Sequence, residues 1–160
     1  MSDERSQRLY LSAAEIAALD EKKMVHQFNA NAIRMTRSLG DLMGLSDMGL
    51  HLVRVEPGRD TTTHHFHGQD EEFVYILEGH GRATIGDDVI DVGPGDFMAF
   101  PKGSPAHSMC NPAEAGRDLL YLMGGTRSPV DVCTYPTLGL RMYRVDGVKE
   151  YAELGAFKPV

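Results

Sequence analysis

Two histidines separated by one residue, and a glutamate five positions later, form the stretch of this sequence with the clearest chemistry. His65 and His67 lie in a segment that favours extended structure. Successive side chains of a strand point to opposite faces, so these two project the same way, about 7 Å apart along the backbone. Residues 68–70 then predict a turn, after which Glu72 can point into the same cavity. Two imidazoles and one carboxylate leave coordination positions open on Fe(II) and similar divalent ions.

A second stretch can supply a third imidazole. His107 follows a turn rich in proline and glycine, and it begins a segment that predicts a strand. From this position it could reach the same ion from the opposite wall of the cavity.

Together the two stretches resemble the two motifs of the cupin superfamily, which are small β-barrels that hold a metal through three histidines and one glutamate. The motifs are Gly58-x6-His65-x-His67-x4-Glu72-x6-Gly79 and Gly95-x5-Pro101-x-Gly103-x3-His107-x3-Asn111. Each has one residue more between glycine and histidine than the family usually has, a length change that loops absorb easily. The resemblance covers roughly residues 42–122 and is closest to single-domain bacterial cupins of unsettled activity. It implies one divalent transition metal, Fe(II), Mn(II), Ni(II), Cu(II) or Zn(II), held by His65, His67, Glu72 and His107.

Neighbouring residues leave alternatives at this site. His64 would fit the usual first gap but lacks a partner two residues on, so a surface or loop role is favoured. Glu71 is a second candidate ligand by spacing, although Glu72 preserves the gap to Gly79. Asn111 is expected to orient a loop or a ligand side chain by a hydrogen bond. The remaining histidines are expected to be structural or exposed: His26, His51 and His80.

The elements that must position these residues are mostly strands. Ser12-Ala13-Ala14-Glu15 is a capping box, which predicts a short helix near 13–20. Alternation predicts a strand within 32–37, and short extended segments separated by glycine and proline continue from there. Strands are predicted near 48–55, 61–67, 71–78, 82–85, 89–92, 96–100, 106–111, 117–123, 131–135 and 140–145. We therefore predict an all-β, cupin-type antiparallel barrel or double-stranded jelly roll with a short N-terminal helix and arm. Residues 1–41 form the arm, packed on the barrel or on a partner subunit, and residues 42–160 form the single barrel domain.

Composition excludes several classes of protein. The chain has 160 residues with 16 Lys+Arg and 23 Asp+Glu, a net charge of −7 that argues against nucleic-acid binding. The longest apolar runs, such as 73–77 and 119–123, are far too short to span a membrane. The charged first residues do not resemble a secretory signal, so we expect a cytoplasmic protein. Cys110 and Cys133 are expected to be free thiols, with Cys110 on the outer face.

Function is less well determined than fold, because cupins include dioxygenases, decarboxylases, isomerases and proteins that only bind ligands. We expect an enzyme that acts on a small polar molecule, either a dioxygenase or a metal-assisted isomerase of the sugar-phosphate type, with Glu72 as a candidate proton shuttle. A noncatalytic ligand-binding protein is the alternative. Five side chains on predicted strands could anchor an anionic substrate, without the sequence fixing which of them face the cavity: Arg34, Arg54, Arg141, Tyr121 and Tyr143.

The strand after Glu72 is apolar on both sides. Phe73, Tyr75 and Leu77 share the face opposite Glu72. Such a strand needs a cover on its outer side, which the N-terminal arm or a second subunit could provide. We therefore expect a homodimer.

Overall fold

The computed structural model describes residues 8–159, so the first seven residues of the predicted arm lie outside it. Helix α1 (Ala13–Ala18) begins at the predicted capping box: the Ser12 hydroxyl accepts from the Glu15 backbone N–H, and the Glu15 carboxylate accepts from the Ser12 backbone N–H. A second helix, α2 (Leu39–Leu42), is one turn long and was not predicted, because four residues are too few to show a helical period. Among residues 8–159, no helix has the length and apolar character that crossing a membrane requires.

Strands make up most of the described chain. In chain order they are β1 (Lys22–His26), β2 (Asn29–Arg37), β3 (Met48–Val55), β4 (Arg59–Asp60), β5 (Phe66–His67), β6 (Glu72–Glu78), β7 (Gly81–Ile85), β8 (Asp88–Val92), β9 (Phe97–Phe100), β10 (His107–Asn111), β11 (Leu119–Thr126), β12 (Val130–Tyr135), β13 (Leu140–Val145) and β14 (Val148–Glu153). Short 3₁₀ turns lie at Ala113–Ala115 and Pro136–Leu138.

The strands form two sheets. The larger has the order β8-β7-β10-β4-β2-β3-β11-β6-β9, with β1 paired to β2, and the smaller has the order β14-β13-β12-β5. All pairs are antiparallel except the short contact of β2 with β4. The chain is an all-β, two-sheet jelly roll, as predicted. The segment expected to be an arm contributes β1 and β2 to the larger sheet, so the wall of the barrel begins at Lys22.

Of the predicted strand over 61–67, only Phe66–His67 forms a strand in the structure, and Arg59–Asp60 forms a separate one before it. Asp60 at the end of β4 pairs with β10 in the larger sheet, whereas β5 pairs with β12 in the smaller one. The chain crosses from one sheet to the other between these strands, so a continuous strand is geometrically excluded. This crossing carries both histidines of the first motif into the space between the sheets.

β1 and β14 were also missed, because both are mostly exposed and lack an apolar alternation. A signal for β14 was present in Asp146-Gly147, a pair typical of two-residue hairpin turns. Both residues have positive φ, 47° and 84°, as such a turn requires.

The core lies on the inner face of the larger sheet. Val53, Val55, Ile76 and Leu119 are fully buried there. A smaller cluster, Cys133, Tyr135 and Met142, lines the inner face of the other sheet. Between the two clusters the polar residues of the candidate site are grouped.

Candidate metal centre

Backbone hydrogen bonds join the two sequence motifs directly. His65 and His107 exchange two hydrogen bonds, from His65 N to His107 O at 3.1 Å and from His107 N to His65 O at 2.8 Å. This bridge places their imidazole centroids 4.7 Å apart, while the ring of His67 lies 5.1 Å from that of His65. The crossing segment and β10 therefore present three imidazoles to one point.

Glu72, the first residue of β6, supplies the carboxylate at that point. Its Oε2 lies 3.1 Å from His107 Nε2 and 3.5 Å from the Nε2 atoms of His65 and His67. The structure thus brings together all four residues that the sequence analysis named. A divalent ion would take its place among these three nitrogens and one oxygen, a donor set that suits first-row transition metals.

Two of the imidazoles are oriented by hydrogen bonds at Nδ1, the nitrogen that does not face Glu72. His65 Nδ1–H donates to the Thr63 carbonyl at 2.7 Å, and His67 Nδ1–H donates to Asp131 Oδ2 at 2.6 Å. A proton held on Nδ1 leaves the Nε2 lone pair free for a metal ion, so these contacts fix the tautomer that ligation needs. The geometry therefore fits a metal centre on the chemistry of its donors and on their orientation.

Asp131, on β12, is the strongest of these supports. It is fully buried and also accepts hydrogen bonds from the backbone N–H groups of Gln69 and Asp70. Burial alone would raise the pKa of Asp131, but the hydrogen bonds from His67 and these N–H groups outweigh it and lower the pKa to about 2. The side chain is therefore an anion at neutral pH, and it holds both His67 and the turn that leads to Glu72.

The charges of the site depend on one another. Burial opposes charge on Glu72, yet hydrogen bonds from His107 and His65 lower the pKa of its carboxyl well below the usual range. Burial also opposes charge on His67, but Asp131, Cys133 and Glu72 raise its pKa to about 10. Without a metal, a proton on His67 offsets one of the two negative charges that Glu72 and Asp131 carry.

His107 is held differently from the other two imidazoles. Its ring stacks on Phe100 with centroids 3.5 Å apart and planes 5° apart. Its buried Nδ1 has no hydrogen-bond partner among the described residues. Burial lowers the pKa of His107, so the ring is neutral at neutral pH. Packing against an aromatic ring therefore takes the place that a hydrogen bond to Nδ1 has in the other two imidazoles.

Cys133 offers a second donor on the edge of the centre. Its sulfur and one nitrogen each of His65 and His67 lie within 4.8 Å of one another. Both cysteines are free, as expected. Cys133 is buried at the cavity, whereas Cys110 lies outside the cavity lining, paired across the sheet with Asp60 and Arg82. Three groups of donors therefore lie close enough to share an ion: His65, Glu72 and His107; His65, His67 and Cys133; and His67, Asp70 and Asp131.

A cavity of about 440 Å³ opens beside the centre and is lined by both sheets. Of the five candidate anchors for an anion, Arg34 and Tyr121 line it. Arg54 instead makes ion pairs with Glu21 and Asp118 outside the cavity. Arg141 and Tyr143 lie outside the cavity lining as well. Burial raises the pKa of Tyr121 to about 12, so its hydroxyl stays protonated.

The arrangement matches known proteins. A family model described as "Cupin domain" matches residues 51–121. A provisionally named sugar phosphate isomerase from Acidithiobacillus ferrooxidans is 37% identical over 94% of this chain and 96% of its own, with a TM-score of 0.90. This chain belongs to the cupin superfamily.

Two further structures extend the comparison. A sugar phosphate isomerase of the cupin superfamily from Silicibacter pomeroyi is 25% identical over 95% of this cupin and 97% of its own chain, with a TM-score of 0.78. A predicted oxalate decarboxylase from Thermotoga maritima shares the fold at 18% identity, covering 71% of this chain and 96% of its own, with a TM-score of 0.58. A search of curated protein sequences found no significant match.

The other histidines of this cupin differ in their position relative to the cavity. His64 bonds to Ser108 and does not line the cavity. His26, expected to be structural or exposed, lines the cavity and accepts from Thr63 Oγ1 at 3.1 Å and the Phe28 N–H at 3.2 Å. No spacing signal links His26 to the motifs, because the β1–β2 hairpin brings it there. Asn111 orients a loop as predicted, donating to the carbonyls of Val55 and Arg117.

Proposed function

We propose that this cupin is a metal-dependent isomerase that acts on a small polar molecule, with sugar phosphates as the first class to test. The observation that carries the proposal is the convergence of three imidazole Nε2 atoms on Glu72 Oε2 beside a cavity of about 440 Å³. Cavities of this size accommodate small metabolites. The 37% identity to the provisionally named isomerase, over nearly the whole of both chains, supports the choice of reaction.

We propose that His65, His67, Glu72 and His107 hold the ion. When bound, a divalent ion acts as a Lewis acid that polarises a carbonyl oxygen and stabilises charge on it. Its identity among Fe(II), Mn(II), Ni(II), Cu(II) and Zn(II) is not fixed by this donor set.

Glu72 is proposed as the proton shuttle, because it is the single carboxylate among the described residues that line the cavity. It would take a proton from the carbon beside the carbonyl and return it to the carbonyl carbon. The C–H bond beside the carbonyl breaks and a C–H bond at the carbonyl carbon forms. The hydroxyl proton moves to the former carbonyl oxygen, and the hydroxyl carbon becomes the new carbonyl. The lowered pKa of this carboxyl keeps it ionised. It would accept the proton when it is released from the ion.

Two other residues of the cavity wall can position a substrate by donating hydrogen bonds. Burial raises the pKa of Tyr135 above its usual range, so its phenol keeps its proton. Burial lowers the pKa of His26, and two donors occupy its Nδ1, so the neutral ring carries its proton on Nε2. Both groups are suited to bind hydroxyl or carbonyl oxygens of a polar molecule.

The test is proton NMR of phosphorylated aldoses and ketoses in D₂O, with protein reconstituted with each candidate metal. We expect metal-dependent interconversion and entry of deuterium at the carbon beside the carbonyl. Glu72→Gln should lower the rate by about 100-fold or more. His64→Ala, a neighbouring histidine outside the cavity, should leave the rate unchanged.

Oxygen uptake by the Fe(II) form, measured in parallel, addresses the other reactions. Substrate-dependent uptake without interconversion would replace the isomerase with a dioxygenase. Binding of a ligand without turnover, for every metal, would leave the noncatalytic alternative.

We also propose that the protein is a homodimer, as the apolar outer face of β6 suggests. Tyr75 and Leu77 of β6 and Phe97 of β9 remain 40%, 38% and 62% exposed. A second copy is the proposed cover. Light scattering should give twice the chain mass, and Phe97→Ser should shift the protein towards monomer; a monomeric wild type at micromolar concentration would contradict this.

Cytoplasmic location stays a prediction.

A further inference from the structure

The charges that line the cavity differ from those of the whole chain. The chain carries a net charge of −7, yet the described cavity lining holds two fixed cations, Arg34 and Lys149, against one carboxylate, Glu72. If Glu72 binds a divalent ion, its charge is more than neutralised. The cavity is therefore positive in a protein that is otherwise negative, which favours anionic ligands.

Arg34 is the cation inside the cavity. On β2, Thr36 pairs with the buried Val53 of β3, and alternation puts Arg34 on the same inner face. Its guanidinium contacts Met123 Sδ at 3.7 Å and lies beside the Tyr121 hydroxyl. Among residues 8–159, no carboxylate forms an ion pair with it.

A half-buried guanidinium in this state is short of acceptors. Arginine carries five N–H donors in a planar fork that fits two oxygens of a carboxylate or a phosphate. A thioether is a weak acceptor, and a phenol can accept from only part of the fork. Partly buried cations normally have a paired charge, so the missing partner of Arg34 points to a ligand.

We propose that Arg34 is the specificity-determining residue that binds the oxyanion of the substrate, a phosphate monoester or a carboxylate, while the rest of the substrate reaches the metal centre. Lys149 of β14 is exposed at the wall of the same cavity and attracts the anion without a fixed contact. The inference rests on the proposed function in one respect only, namely that the cavity binds a small substrate.

The test is titration calorimetry of zinc-loaded protein with glucose 6-phosphate, gluconate and glucose. These probes share a carbon skeleton and carry a phosphate, a carboxylate or no charge. Wild type should bind at least one of the two anions about tenfold or more tightly than glucose. The tighter anion identifies which oxyanion the site prefers.

Arg34→Met should weaken binding of that anion by about tenfold or more, and should leave glucose binding and zinc content unchanged. Arg34→Lys should give an intermediate affinity, since it keeps the charge without the fork. Arg141→Met is the matched control, because Arg141 is exposed on β13 outside the cavity lining. Equal unfolding midpoints of the variants show that any loss is not a loss of fold.

Equal anion affinity in wild type and Arg34→Met would overturn the inference, as would wild type with no preference for either anion. These results are separable from those of the isomerase assay. Anion binding that depends on Arg34, without any isomerisation, would contradict the proposed reaction but support the anion site. Isomerisation of neutral sugars that Arg34→Met does not affect would support the proposed reaction but contradict the anion site.

Discussion

Arg34 and Arg54 lie on neighbouring strands of the same sheet and face opposite sides of it. On the outer side, Arg54 bonds to Glu21 through Nε and Nη2 and to Asp118 through Nη1. On the inner side, Arg34 has a thioether and a phenol beside it but no carboxylate among the described residues. The chain thus pairs Arg54 with its own carboxylates on the outer side and leaves Arg34 without one on the inner side, where an anionic substrate would pair with it.

Removing a metal ligand on the inner side should have the largest effect. Glu72→Gln and His67→Ala are each expected to weaken metal binding by about 100-fold or more, since each removes a donor from a four-residue set. Elemental analysis after dialysis measures this, with circular dichroism as the check that the β fold persists. His64→Ala is the control and should keep full metal content. If both ligand variants stay fully loaded, the ligand assignment is wrong.

Metal binding should also depend on Asp131, which contacts the proposed ligand His67 but not the ion itself. Asp131→Asn should weaken metal affinity by about 10- to 100-fold, because the charged acceptor behind His67 is lost while the volume is kept. Competition with a chelator gives the affinity. Unchanged metal affinity would mean that His67 keeps its orientation without Asp131. The charge of Asp131 would then contribute nothing to metal binding.

The outer side should respond much less. Arg54→Met removes the ion pairs with Glu21 and Asp118, and should lower the free energy of unfolding by about 1 kcal/mol or less, as is usual for pairs near the surface. Metal content should not change. Denaturant unfolding and elemental analysis of the same sample report both quantities. A loss of metal in this variant would show that the two faces of the wall are coupled.

The smallest expected effect is the pH dependence of this outer pair. Hydrogen bonds from Arg54 lower the pKa of Glu21 from 4.5, so the pair stabilises the folded state above about that pH. This contribution is lost as the pH falls through the lowered pKa of the folded state. The difference in unfolding free energy between wild type and Arg54→Met should therefore be constant from about pH 5 to 8 and shrink below pH 4. A difference that grows on acidification has the opposite sign and contradicts the assignment.

Much of the fold could be predicted because it depends on local patterns. Strands β3 and β13 match their predicted bounds: Pro57-Gly58 follows β3, and Gly139 and Asp146-Gly147 stand on either side of β13. The grouping of His65, His67, Glu72 and His107 could be anticipated because the two motifs have a recognisable spacing. The crossing between the sheets after Asp60 could not, because it depends on which distant strands pair.

The residues that act on the site from other strands could not be predicted from the sequence either. Asp131 is 64 positions from His67 in the chain, and an isolated aspartate carries no signal of its partner. Arg34 and Arg54 both lie on strands with similar neighbours, and only the sheet register shows which of them faces inward. Residues that act through distant contacts require the topology, whereas residues within one motif do not.

X-ray absorption of the wild-type protein loaded with one equivalent of Zn(II) is the decisive test of the proposed metal ligands. We expect nitrogen and oxygen neighbours at about 2.0–2.2 Å with the multiple scattering of three imidazoles and no sulfur shell. A sulfur shell at about 2.3 Å would place Cys133 on the metal, and fewer than three imidazoles would contradict the site built from His65, His67, Glu72 and His107.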